Sequence, residues 1–192
     1  VVDVVAGFRH VCVLLDNNAV KCWGATLTNG TFGNIGADLS TMGDALPALD
    51  FGTPYTVKQL YAGGYQSCVL LSNGGVKCWG SNLFGQLGNG TNTHSTTPVD
   101  VVTSSTDTSP LRGVTALSGS TTQTTCALMF SGGVKCWGLN DYRQLADGTT
   151  TNRNAPVDVL AASGSTTPMS GAVSVTSGGR HTCALISDGG VK

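Results

Sequence analysis

Charge is scarce in this sequence. Only 11% of the 192 residues are Asp, Glu, Lys or Arg, with a formal net charge of −1, against about a quarter in ordinary globular domains. No run of Lys and Arg occurs, so the electrostatic footprint that grips a phosphate backbone is missing and nucleic acid is not an expected partner. Long apolar stretches are missing too. No segment approaches the ~18 to 20 residues a bilayer span needs, and Val1-Val2-Asp3-Val4-Val5 has neither the basic region nor the cleavage site of an export signal. If the protein is exported, its signal is expected outside this sequence. Glycine (27 residues), Ser and Thr are abundant, which argues against long amphipathic helices and for turns and short strands, while 40% hydrophobic residues are enough for a core.

What the chain does have is a period. The string Cys12-Val-Leu-Leu-Asp-Asn-Asn-Ala-Val-Lys-Cys22-Trp23-Gly24 returns as Cys68-Val-Leu-Leu-Ser-Asn-Gly-Gly-Val-Lys-Cys78-Trp79-Gly80 and as Cys126-Ala-Leu-Met-Phe-Ser-Gly-Gly-Val-Lys-Cys136-Trp137-Gly138. A fourth copy starts at Cys183 and runs to Lys192, where the template calls next for its second cysteine. The first cysteines lie 56, 58 and 57 residues apart, so a unit is about 57 residues and the chain holds about three and a half. Approximate repeats are 1–56, 57–113, 114–171 and a partial 172–192, which reads as a fragment of one repeat domain. Asn82-Leu-Phe-Gly-Gln-Leu-Gly-Asn-Gly-Thr91 is echoed by Asn140-Asp-Tyr-Arg-Gln-Leu-Ala-Asp-Gly-Thr149, and Pro98-Val-Asp-Val101 by Pro156-Val-Asp-Val159; the first unit has diverged most.

Within a unit, three short Val/Leu/Ile-rich runs, such as Val57 to Tyr61, Cys68 to Leu71 and Val76 to Trp79, are divided by Asn-Gly or Gly-Gly signals of antiparallel hairpins. Cys68 and Leu70 fall on one side of their run and Val69 and Leu71 on the other, so both sheet faces need cover. Radially stacked sheets supply it, and a 57-residue unit suits a four-stranded blade better than a solenoid coil. The expected fold is all-β, a propeller of four-stranded antiparallel blades.

The combined pattern Gly-x-x-His-x-Cys-x-Leu, Gly-Val-x-Cys-Trp-Gly-x-Asn, Gly-Gln-Leu-Gly-x-Gly-Thr and a downstream Pro resembles the repeat of the regulator of chromosome condensation family over essentially the whole chain. The resemblance implies a seven-bladed propeller. The family's His falls on His10 and His181, but Gln66 and Thr124 stand there in the second and third units, and Arg143 and Ala146 replace two glycines of the third.

Cys12 and Cys22 lie opposite one another in a hairpin centred on Asn17, and the next pairs centre on Asn73 and Ser131. A two-residue turn would instead make each pair diagonal, so geometry permits disulfides without proving them. Zinc is the rival, but Cys-x9-Cys lacks the close Cys-x-x-Cys spacing and histidine is missing from two units. Disulfides are the expectation for Cys12, Cys22, Cys68, Cys78, Cys126 and Cys136. The partner of Cys183, the seventh cysteine, is expected just past Lys192 or in another chain. Paired cysteines in every blade point to an oxidising, extracellular or cell-surface setting.

Candidate chemistry thins out on inspection. His10 and His181 sit in a slot that also accepts Gln or Thr, and no His, carboxylate and nucleophile recur together in one unit. His94 falls in a Thr-rich loop, where a solvated side chain is the default. Trp23, Trp79 and Trp137 beside the cysteines read as inter-blade packing rather than a stacking platform. Lys21, Lys77, Lys135 and Lys192 form a repeated cationic position, either snorkelling over Trp or ringing an anionic partner. Gly85, Gly88 and Gly90 read as turn glycines, since no Gly-Lys-Ser/Thr follows, and Asp141, Asp147 and Asp158 lack the density of a calcium loop. Asn29 and Asn89 stand in Asn-x-Thr acceptor patterns, and Ser95-Thr96-Thr97 and Ser165-Thr166-Thr167 are candidate O-glycosylated loops. No catalytic residue, metal or cofactor is expected. The expected role is a non-catalytic scaffold presenting loops, chiefly Thr26 to Phe51 and Val102 to Gly113, to a protein or glycan. Alternatives are a surface-layer or filament subunit that self-assembles through incomplete blades, an enzyme inhibitor, and the nucleotide-exchange or chromatin-binding role of some family members.

Overall fold

The computed structural model describes residues 1–28, 31–35, 43–52, 54–119 and 121–192. The chain folds into three four-stranded antiparallel sheets and one two-stranded sheet. The first sheet is β1 (Asp3–Ala6), β2 (His10–Leu14), β3 (Val20–Thr28) and β4 (Thr31–Ile35). The second is β5 (Val57–Ala62), β6 (Gln66–Leu71), β7 (Val76–Gly80) and β8 (Ser95–Asp100), and the third is β9 (Val114–Gly119), β10 (Thr124–Met129), β11 (Val134–Gly138) and β12 (Arg153–Asp158). The last pairs β13 (Ala172–Ser177) with β14 (Thr182–Ile186). Strand order in each sheet follows chain order, as in propeller blades. The first strands β1, β5, β9 and β13 touch in succession, which makes them the inner edge of each blade.

The sequence explains the hairpins locally. Between β6 and β7 the turn places Gly74 at φ 73°, and Gly132 and Gly189 take the same left-handed position at 79° and 89°. Asn18 occupies it at 68° in the first blade, where asparagine is the best tolerated non-glycine residue. That turn sets Cys12 opposite Cys22, Cys68 opposite Cys78 and Cys126 opposite Cys136.

The fourth strands lie outside the three runs read from sequence. In the second and third blades they are the Pro-Val-Asp segments, whose short ladder is interrupted by a register shift between Cys78 and Gly80 and again between Cys136 and Gly138. Proline belongs on such an edge strand because one of its faces has no partner to satisfy. Ser95, Thr96 and Thr97, read above as loop, therefore lie in β8. The first blade differs: β3 continues past the end of β2 and pairs with β4 from Gly24↔Ile35 to Thr28↔Thr31.

The apolar core lies between blades. Leu14 and Val20 of the first meet Val57, Leu60, Val69 and Leu71 of the second. Leu70, Val76 and Val101 of the second meet Val114, Leu117 and Trp137 of the third. Leu128, Val134 and Val159 of the third meet Ala172 and Ala184 of the last. Each sheet is thus covered by its successor, the arrangement that apolar residues on both faces demand. No helix among the described residues is long and apolar enough to cross a membrane.

Candidate interaction face

Three disulfides join the middle strands of the complete blades: Cys12–Cys22, Cys68–Cys78 and Cys126–Cys136. Their Cα atoms stand 4.0–4.1 Å apart, the close spacing of antiparallel residues that exchange no backbone hydrogen bonds. Five of the six cysteines are fully buried and Cys22 is half-buried, while Cys183 is unpaired and half-buried. Among the described residues no three His, Cys, Asp or Glu side chains gather as a metal-binding group.

The tryptophans face the preceding blade. Trp137 is fully buried, donates from Nε1 to the Gln86 carbonyl at 3.0 Å, and covers Gly88 so closely that a Cβ there would stand 2.7 Å from Nε1. Trp79 is buried with its ring centroid 5.6 Å from that of Phe51. Trp23 is half-buried. His10 faces the following blade. His10 is buried, with Nε2 2.7 Å from the Ser67 hydroxyl, and burial pulls its pKa below 6.5. His181 is exposed.

The remaining repeated residues resolve into polar clamps. Asn82 is fully buried: Nδ2 donates to Asn89 Oδ1 at 3.2 Å and to the carbonyls of Thr91 and Thr93 at 2.9 and 3.0 Å, and Oδ1 accepts from the Leu87 amide at 2.9 Å. Asn140 does the same through Asp147, Thr149, Thr151 and Leu145. These clamps were missed in the sequence, although the Asn of the Trp-Gly-x-Asn motif recurring before each such loop was the available signal. Asp147 feels two opposing effects: burial pushes its pKa up, but the Thr149 hydroxyl and amide and the Arg153 guanidinium together bring it below the usual carboxylate range. His94 accepts the Asn82 amide proton at Nδ1, 2.9 Å away, so it caps the clamp rather than resting in solvent. Lys77 and Lys135 pair across strands with Asp100 (3.0 Å) and Asp158 (2.8 Å), and Lys21 and Lys192 donate to backbone carbonyls, so the repeated lysines are not an unpaired cationic ring. Of the acceptor patterns, Asn89 is half-buried within its clamp, Asn29 lies outside the described residues, and Thr96 and Thr97 are exposed.

One end of the blades is organised as a continuous arc. The turns β1–β2, β5–β6, β9–β10 and β13–β14 all open there and are bonded in series. Phe8 N–H donates to the Gly63 carbonyl (3.1 Å), Gly64 N–H to the Thr122 carbonyl (3.1 Å), and the Thr122 hydroxyl to the Gly179 carbonyl (2.8 Å). The clamped loops after β7 and β11 flank the same end. The Val102–Gly113 connector lies at the opposite end, self-bonded through Thr103, Ser104, Asp107 and Ser109.

The model of the regulator of chromosome condensation (RCC1) repeat matches residues 73–127 and 131–185, and a second RCC1-repeat model matches 1–33 and 57–86. The chain belongs to the RCC1-repeat family. The units 73–127 and 131–185 each run from a hairpin turn of one blade into the strands of the next, whereas 1–33 and 57–86 each fall within a single blade. Among relatives, the chain is 30% identical over 193 residues to mouse "Probable E3 ubiquitin-protein ligase HERC4", covering 99% of this chain and 17% of that protein. Among solved structures it resembles Prp20p of Saccharomyces cerevisiae (TM-score 0.68, 22% identity, 100% of this chain and 42% of that one). It also resembles the ectodomain of the Physcomitrella patens receptor kinase CR4 (TM-score 0.54, 17% identity, 98% and 39%). The chain thus spans about a sixth of the HERC4 relative and less than half of either structure.

Proposed function

We propose that this RCC1-type propeller segment is a non-catalytic protein-binding scaffold that works in an oxidising, extracellular or cell-surface setting. The observation that carries the reading is the disulfide in each complete blade, set in the same register and buried against the next blade. Such bonds persist where thiols are not kept reduced. The CR4 ectodomain is a precedent for this fold outside the cell, and the binding of Prp20p to Gsp1p and histones is one for RCC1-type propellers holding proteins. Mass-spectrometric thiol labelling of protein purified from its native source tests the setting. With labelling after denaturation in the absence of reductant, six protected cysteines are expected, and six reactive ones would favour an intracellular propeller. Affinity capture followed by reconstitution with the purified partner tests the scaffold role; turnover of a substrate by the chain would refute it.

Exchange of guanine nucleotide on a small GTPase is the second reading, favoured by the likeness to Prp20p. It predicts acceleration of labelled-nucleotide release from such a GTPase, whereas the scaffold reading predicts none.

A further inference from the structure

Arginine and lysine are segregated between the two ends of the blades. All five lysines lie toward the end bearing the β2–β3 type hairpins, whereas four of the five arginines, Arg9, Arg143, Arg153 and Arg180, lie at the end formed by the linked turns. Arg153 is bound to Asp147. The other three are exposed and make no ion pair among the described residues. Asp141 is the one carboxylate outside an ion pair at that end among those residues.

Aromatic rings support two of these cations. The Arg9 guanidinium lies 5.4 Å from the Phe8 centroid, and Phe8 is 57% exposed and packs edge-on against Tyr65 at 5.8 Å. At the other end of the arc Arg180 stands 4.2 Å over the ring of Tyr142, which is 56% exposed. A guanidinium stacked on a ring keeps its in-plane N–H fork available for a carboxylate. The hydrogen-bonded series of turns fixes the spacing of the two clusters before any partner arrives, which lowers the ordering cost of binding.

We propose that this arginine and aromatic arc docks a carboxylate-rich segment of a partner protein. Arg9, Arg143 and Arg180 take its acids, and Phe8 and Tyr142 take its apolar side chains. Enrichment in Arg, Tyr and Phe with lysine absent is the composition of protein interfaces; a polyanion groove would use lysine as readily and in a continuous track. The inference rests on the scaffold reading and names the chemistry of its partner.

The test is fluorescence anisotropy of a fluorescein-labelled (Glu-Leu-Glu)4 peptide titrated with the full chain. Expected are binding that weakens with added salt, a loss of roughly tenfold or more in the Arg9→Glu/Arg180→Glu variant, and a similar loss when glutamine replaces glutamate in the peptide. Lys58→Glu, an exposed lysine at the other end, is expected to change affinity less than about twofold. No binding, equal binding by the arginine variant, or a single-stranded DNA probe held more tightly through the same arginines overturns the proposal. If a partner captured by the scaffold is retained by the arginine variant, this proposal fails while the scaffold reading stands.

Discussion

A left-handed backbone position tolerates glycine far better than other residues, and the third blade departs from that rule twice. Arg143 (φ 62°) and Ala146 (φ 49°) stand where the second blade has Gly85 (φ 81°) and Gly88 (φ 66°). Each non-glycine residue there costs on the order of 1 kcal/mol of strain. Ala146→Gly should therefore raise stability by about 0.5 kcal/mol after the added freedom of the unfolded chain is counted, read as a shift in urea midpoint. The converse change is not symmetric. Gly88→Ala meets both the strain and the Trp137 ring, with Cδ1 2.9 Å from the new Cβ, and should cost about 3 kcal/mol. His10 gives a pH effect at the same scale. Burial lowers its folded pKa below the 6.5 of the free side chain, so the unfolded chain binds the proton more readily. Its contribution is complete above pH ~6.5 and falls away as the pH drops below it. His10→Gln, the residue the second blade uses as Gln66, should lessen the fall in stability as the pH drops below about 6.5 in denaturant melts. An unchanged fall would remove His10 as its source.

At the scale of elements, the hairpin of each unit was legible because its signals are local. The turn glycines, the alternating Val and Leu and the cysteines ten residues apart marked β6 and β7 as a hairpin, and of the two registers they allowed the structure takes the opposed one, Cys68 facing Cys78. The fourth strand was not legible as a strand. Its ladder is short, shifts register at the Trp position, and contains Pro98 or Pro156, so neither apolar alternation nor length announced it. The ion pairs Lys77–Asp100 and Lys135–Asp158 went unread for the same reason, since they join the recognised third strand to the unrecognised fourth. The Asn82 and Asn140 clamps depend on a loop closing over a side chain, which no periodicity reveals. The arginine arc was invisible because its members come from turns and loops of different blades and share one end only once the blades stack. Replacing Cys68 and Cys78 together by Ala should remove the chain-entropy contribution of a clip spanning ten residues, about 3 kcal/mol in thermal or denaturant unfolding.

Over the whole molecule, each sheet is sealed by the next, so the disulfides are shielded by interfaces rather than by the blades that carry them. Cys12 joins the core shared by the first and second blades, Cys68 and Cys78 that of the second and third, and Cys126 and Cys136 that of the third and last. A repeat array of this kind opens interface by interface, and a reductant reaches a buried bond only when the covering interface opens. Cys22 is the exception, half-buried while its partner Cys12 is fully covered. Under native conditions with excess thiol, Cys12–Cys22 should be reduced first, and Cys68–Cys78, between two complete blades, last. Timed alkylation and peptide mapping would read the order directly. Simultaneous loss of all three bonds would mean that the array opens in one cooperative step, and that the interfaces between blades are not independent barriers.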